Sequence, residues 1–249
     1  MSQPETESVS FIFKWVATRR VGIRSPTELH NKLERTNSIG KFFVEMNYDT
    51  WIVMNVGECG IIARAVYGNK WTERSAGISF ASRVLQEISS LEKDERGQTP
   101  RILINTALAV NVLPESGFIC TTWQCFPDFI EICSVGTNSI LMSNSSIMQE
   151  AITRHSVDHL LNYDEPQRDL RWRNTITHIL GNENGCHIED IRVFRTPLLQ
   201  DTKIAIIVER RLAYDIIKQK ISPQNLSSFI DNWSCPPGRK NRTSVLLSL

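Results

Sequence analysis

Apolar residues recur along this chain with two different periods. Between Thr72 and Leu91, Ile78, Ala81, Leu85, Ile88 and Leu91 follow at spacings of three and four, the period of a helix that buries one face. Arg101 to Val112 repeats the pattern with some slippage, and Pro114 to Gly117 ends it. Short apolar, β-branched or aromatic runs predict strands at Phe11 to Val16, Lys41 to Met46, Thr50 to Asn55, Phe118 to Trp123, Phe129 to Ser134 and Ser139 to Ser143. Asp190 to Arg195, Lys203 to Val208 and Thr243 to Ser248 read the same way. Asn47-Tyr48-Asp49 reads as a polar hairpin turn, and Pro127-Asp128 and Gly136-Thr137-Asn138 punctuate later strands. Further helices are expected over Arg168 to Leu180, stopped at Gly181, and over Leu212 to Lys220. A last one spans Gln224 to Trp233, with Ser222 as its cap and Pro223 in its first turn. Lys93 to Pro100 is a charged loop and Cys235 to Arg239 a Pro/Gly loop.

Runs of strands are thus separated from runs of helices. That order predicts an α+β domain with antiparallel sheets rather than βαβ units. Residues 1–10 are polar and acidic and read as a flexible tail. Residues 11–249 read as a single domain, with no internal repeat, low-complexity segment or clear linker. At 249 residues with 41% hydrophobic positions, the chain can build a sizeable core. Its formal net charge of +1 lacks the basic surplus of a nucleic-acid binder. No run reaches the roughly 20 apolar residues of a membrane span, and the N-terminus lacks a secretion signal. The expected location is therefore the cytosol or nucleus, with no nucleic acid and no membrane among its partners.

The six cysteines form no CxxC pair and read as buried thiols. His155 and His159 stand one helical turn apart with Asp158 between them, a surface pair without a third metal ligand. There is no phosphate-binding GxxxxGK[ST], GxSxG elbow, HExxH or GxGxxG.

A series of short segments in fixed order carries more. Gly22 to Leu29, GIRSPTEL, resembles the G-x-R-x-x-N-E-D opening of the PPM-type metal-dependent Ser/Thr phosphatases, the protein phosphatase 2C family. Trp51 to Gly60, WIVMNVGECG, is similar to that family's buried strand followed by D-G-x-G-G. Gly77 to Ser82 resembles the G-x-x-A-S of its first long helix, and Ser134 to Leu141 its V-G-D-S-R-x-x-L. Thr153 to Ser156, Thr177 to Gly181, Leu198 to Val208, Tyr214 to Ile217 and Thr243 to Leu246 continue the series. The resemblance implies a four-layer αββα sandwich, two central antiparallel sheets flanked by helix pairs. Trp51, Ile52, Val53, Ile130, Ile132, Val135, Ile206, Ile207 and Val245 read as its core.

The family's chemistry depends on two metal ions held by carboxylates. On this alignment Leu29 replaces the Asp of N-E-D, and Asn55 and Val56 replace the D-G pair. Arg210 or Arg211 replaces the Asp of S-D-G unless a gap brings in Glu209, and Lys240 or Asn241 replaces the Asp of the last D-N-x-T. Two unit charges about 4 Å apart cost about 4 kcal/mol at an effective dielectric of 20, so a cation in such a site opposes a metal. The expectation is a pseudophosphatase: not an enzyme, without metal or cofactor, serving as a protein-binding scaffold or regulatory subunit. Arg24 matches the phosphate-gripping Arg. It either binds an anion or pairs with Glu28 or Glu58 and only holds the edge together. With Arg210, Arg211 and Lys240 it gives the alternative of a phosphopeptide reader. A weak hydrolase with a rearranged site is the remaining alternative.

Overall fold

A computed structural model describes residues 12–16, 31–37, 40–46, 51–66, 70–91, 95, 97–110, 117–144, 147–150, 178–181, 186–197, 203–208, 210–233 and 244–248. The strands, in chain order, are β1 (Ile12–Val16), β2 (Asn31–Asn37), β3 (Gly40–Met46), β4 (Trp51–Val56), β5 (Cys59–Val66), β6 (Gly117–Cys125), β7 (Phe129–Val135), β8 (Ser139–Asn144), β9 (Ile147–Glu150), β10 (Arg192–Pro197), β11 (Lys203–Ile207) and β12 (Ser244–Ser248). The helices are α1 (Lys70–Ser89), α2 (Thr99–Val110), α3 (Arg210–Lys218) and α4 (Leu226–Asn232). Seven strands pair in the order β10-β7-β6-β5-β4-β3-β2, and five in the order β1-β12-β11-β8-β9. Every pairing among them is antiparallel. The chain is thus a mixed α/β protein built on two antiparallel sheets.

Alternation along each strand sorts the apolar side chains into separate clusters. Ile52 and Met54 of β4 and Ile61 and Ala63 of β5 pack with Phe80, Val84, Leu85 and Ile88 of α1 and Leu103 and Ala107 of α2. Phe80 stacks on Phe118 of β6 with ring centroids 4.3 Å apart. The alternate residues, Trp51, Val53, Ile62, Trp123, Ile130 and Ile132, join Ile140, Ile204, Ile206, Val245 and Leu247 of the five-stranded sheet. The other face of that sheet, with Leu141, Ala205 and Ile207, meets Leu212, Ile216, Leu226, Ile230 and Trp233. All nine expected core residues are buried, but Ile52 and Val135 lie under α1 and α2, and Ile207 under α3 and α4.

The structure departs from the expected elements where local pattern carries little information. β5 was not anticipated: it is buried on both faces, so it shows no alternation, and it joins β4 through the two-residue turn Gly57-Glu58. Gly57 has φ +52, which glycine tolerates. β2 and β9 also lie outside the strands that the sequence pattern predicts. The helix expected over Arg168 to Leu180 does not reach its end. Leu180 exchanges both backbone hydrogen bonds with Phe118, each 2.9 Å, as an extended bridge. Residues 168–177 lie outside the described set, as do residues 1–10, the pair His155 and His159, and the Cys235 to Arg239 loop. Ile188–Asp190 is a 3₁₀ turn, so the strand expected from Asp190 begins at Arg192. α4 starts after Asn225 and not at Gln224, and Ser222 contributes its carbonyl, accepting from the Asn225 N–H at 3.1 Å, rather than a capping side chain. Among the described residues, no helix is long and apolar enough to cross a membrane.

Candidate functional site

The pairing registers bring many chain entries and exits to one end of the two sheets. β7 ends at Val135, opposite Cys120, and the chain turns through 136–138 into β8 at Ser139. Ser139 pairs with Ile207, the last residue of β11, and Ile207 with Ser244, the first of β12. In the seven-stranded sheet, Val66 pairs with Gly117, Trp51 with Arg64, and Met46 with both Ile52 and Asn31. The end of β3, the start of β4, the end of β5, the turn 136–138 and the start of α3 therefore lie at this helix-entry end.

Two of the sequence-predicted positions lie at this end among the described residues. Arg210 and Arg211 open α3. Lys240 and Asn241 lie outside the described residues and precede β12, which begins here at Ser244. Arg24 and Leu29 also lie outside the described residues, with Leu29 just ahead of Asn31. Asn55 and Val56 are placed differently. Asn55 pairs with Gly60 beside the Gly57-Glu58 turn. It stands four residues beyond Trp51, about 13 Å along the strand at the usual rise, toward the opposite end. Its Oδ1 is shielded from solvent and has no hydrogen-bond partner among the described residues. The buried strand that runs directly toward α1 is not β4 but β5, which ends at Val66, four residues before Lys70.

The described residues offer limited chemistry. Cys59, Cys120, Cys125, Cys133 and Cys186 are free and buried. Burial pushes the Cys59, Cys125 and Cys186 thiols up to about 12, with Glu58 adding to the first two and Asp190 to the third. Burial raises Cys120 and Cys133 as well. None is primed as a nucleophile. Glu131 is buried on β7, where it accepts from Thr99 Oγ1 at 3.1 Å and from Arg195 Nε at 2.7 Å. This pair joins the start of α2 to β10. Among the described residues, no three His, Cys, Asp or Glu side chains gather to hold a metal ion.

Neither a protein-family model nor a curated protein matches the sequence. Solved structures do. The Streptococcus agalactiae serine/threonine phosphatase is 13% identical with a TM-score of 0.57, covering 96% of this chain and 99% of its own. A PPM Ser-Thr phosphatase from Mycobacterium smegmatis is 13% identical with a TM-score of 0.56 over 96% of this chain and 97% of its own. The Mycobacterium tuberculosis serine/threonine phosphatase is 12% identical with a TM-score of 0.55 over 96% and 98%. These proteins are enzymes, which overturns the expectation that this chain is not one. The physical reason lies in the ligand count behind that expectation. That count includes Asn55 and Val56, which the fold sets toward the far end of β4 from the helix-entry end, with β5 intervening before α1. At these low identities the likeness establishes the fold: that of the PPM-type Ser/Thr phosphatases.

Proposed function

We propose that this chain is a phosphoester hydrolase of the PPM type, acting on phosphorylated Ser or Thr side chains of a protein partner at the helix-entry end. The observation that carries the reading is the register, which gathers the end of β3, the start of β4, the end of β5, the turn 136–138 and the starts of α3 and β12 at one end. The proposal includes a single four-layer αββα domain over 11–249. The three apolar clusters support that arrangement: one under α1 and α2, one drawing on both sheets, one under α3 and α4.

The resembling motif places its D-G pair between a buried strand and the first long helix. With β5 as that strand, the pair falls at Tyr67-Gly68, and the N-E-D segment falls at Asn47-Tyr48-Asp49. Asp49 then keeps a carboxylate that Leu29 does not offer. Glu209, in sequence between the end of β11 and the start of α3, is a second carboxylate. Arg210 and Arg211 follow it and bring positive charge suited to a phosphate. Asp49 and Glu209 are the carboxylates that would hold a divalent metal ion, which when bound would supply an activated water, and the arginines would hold the phosphoryl oxygens.

The test is hydrolysis of an aryl phosphate and of a phosphothreonine peptide by the purified protein, with excess Mn²⁺ or Mg²⁺. Asp49→Asn is expected to lower the rate roughly 10²- to 10⁴-fold, the measure of several kcal/mol of metal-supplied stabilisation, while Asn55→Ala leaves it unchanged. No turnover above buffer would overturn the hydrolase reading. Turnover lost in Asn55→Ala but kept in Asp49→Asn would move the site to the Gly57-Glu58 end.

A further inference from the structure

A polar row crosses the otherwise apolar space lined by both sheets. Thr121 of β6 and Ser134 of β7 are register partners, and their hydroxyls lie 2.8 Å apart. Arg192 of β10 is the next residue in the row, paired with Ser134. Asn138, from the turn that links the sheets, donates its Nδ2 to Thr121 Oγ1 at 3.0 Å. Thr121, Ser134 and Asn138 are at most 2% exposed, and Arg192 is 8% exposed. Asn138 Oδ1 is buried with no hydrogen-bond partner among the described residues. Buried amide oxygens almost always have a donor, because an unmade hydrogen bond leaves the full desolvation cost in place.

We propose that Asn138 Oδ1 holds one internal water molecule between the two sheets, a structural binding site independent of the hydrolase reading. Charge selects the occupant. The guanidinium of Arg192 on the same row opposes a cation, and the Asn138 carbonyl oxygen opposes an anion. A neutral molecule that both donates and accepts suits a buried carbonyl oxygen beside the paired Thr121 and Ser134 hydroxyls. Water fits that description, and buried polar sites of this kind characteristically hold one. Through it the turn 136–138, at the helix-entry end, gains an anchor to the interior in addition to the Thr121 bond.

A crystal structure of the unmodified protein, at a resolution that shows ordered water, tests this directly. The expected result is one solvent peak within roughly 2.6–3.2 Å of Asn138 Oδ1 and of at least one further polar atom. A protein donor on Oδ1, an ion at the position, or the amide turned over with its nitrogen on a protein acceptor would overturn the proposal. Oxygen-17 relaxation dispersion, which counts long-lived internal waters in solution, gives a second readout. Asn138→Val is expected to lower that count by one molecule, and an unchanged count in a folded variant would overturn the proposal equally.

Discussion

At Gly60, an added methyl carbon would stand 1.9 Å from Trp123 Cζ2. Trp123 is fully buried and packed among the side chains of both sheets, so its indole has nowhere cheap to go. Gly60→Ala is therefore expected to cost about 1–3 kcal/mol, the usual penalty of overpacking, seen as a lower urea midpoint at unchanged slope. An unchanged midpoint would mean that the indole moves freely. Glu131 makes a second residue-scale case. Its side chain is 1% exposed while that of Arg195 is 51% exposed. Arg195→Ala leaves a carboxylate buried with only Thr99 and a weak contact from the Cys133 thiol to answer it. The expected loss is about 1–3 kcal/mol, that of a buried acceptor losing a charged donor. Glu131→Gln keeps an acceptor for Thr99 and frees an arginine already half in water, so it is expected to cost less. Thermal unfolding of the two variants side by side checks the order.

The elements were legible where the period was clean. α1 and α2 appear within a few residues of the expected bounds because Ile88, Leu103 and their helical neighbours point to one sheet face. β6 is buried at all nine positions, yet its aromatic and β-branched residues marked it as a strand without any alternation. β5 lacked even that signal, since Gly60, Ala63, Arg64 and Ala65 dilute its β-propensity. Leu180 read as helical because only its partner Phe118, distant in sequence, makes it extended. At this scale Trp233 ties the end of α4 to α3, donating Nε1–H to Asp215 Oδ2 at 2.8 Å. Asp215→Ala is expected to cost about 1 kcal/mol, the net worth of one such bond, and to speed amide hydrogen exchange in 226–232 before α3. Equal exchange in both proteins would show that apolar packing alone holds α4.

Across the whole molecule, the buried thiols couple stability to alkaline pH. Their ordinary value is near 9, and the fold raises Cys59, Cys125 and Cys186 to about 12. The unfolded chain releases these protons first, so stability is full below pH 9 and declines as pH rises toward about 12. The slope per thiol is at most about 1.4 kcal/mol per pH unit. Urea unfolding at pH 8, 9.5 and 10.5 is expected to show a progressive drop that Cys125→Ala makes shallower. An identical pH slope in the variant would assign the loss to other groups. The site is likewise a property of the whole molecule. Of the positions that the alignment with the family's motifs assigns to the site, Arg210 and Arg211 open α3 at one end. Asn55 and Val56 came from the same alignment and stand toward the other. A missed strand reverses the direction in which every following residue approaches an end, so a single unrecognised hairpin moves a site position across the sheet.

Sequence alone determined the class of the fold, because helical and strand periods and their order along the chain are local properties. It also determined which residues are apolar enough to be buried, and all nine core positions are. Which face each one serves was decided by tertiary structure: Ile206 joins the side chains drawn from both sheets while its neighbour Ile207 lies under α3 and α4. The register was decided there too, since strand pairing is set by contacts between segments far apart in sequence. The helix-entry end exists only through those pairings, from Ser139 with Ile207 to Val66 with Gly117.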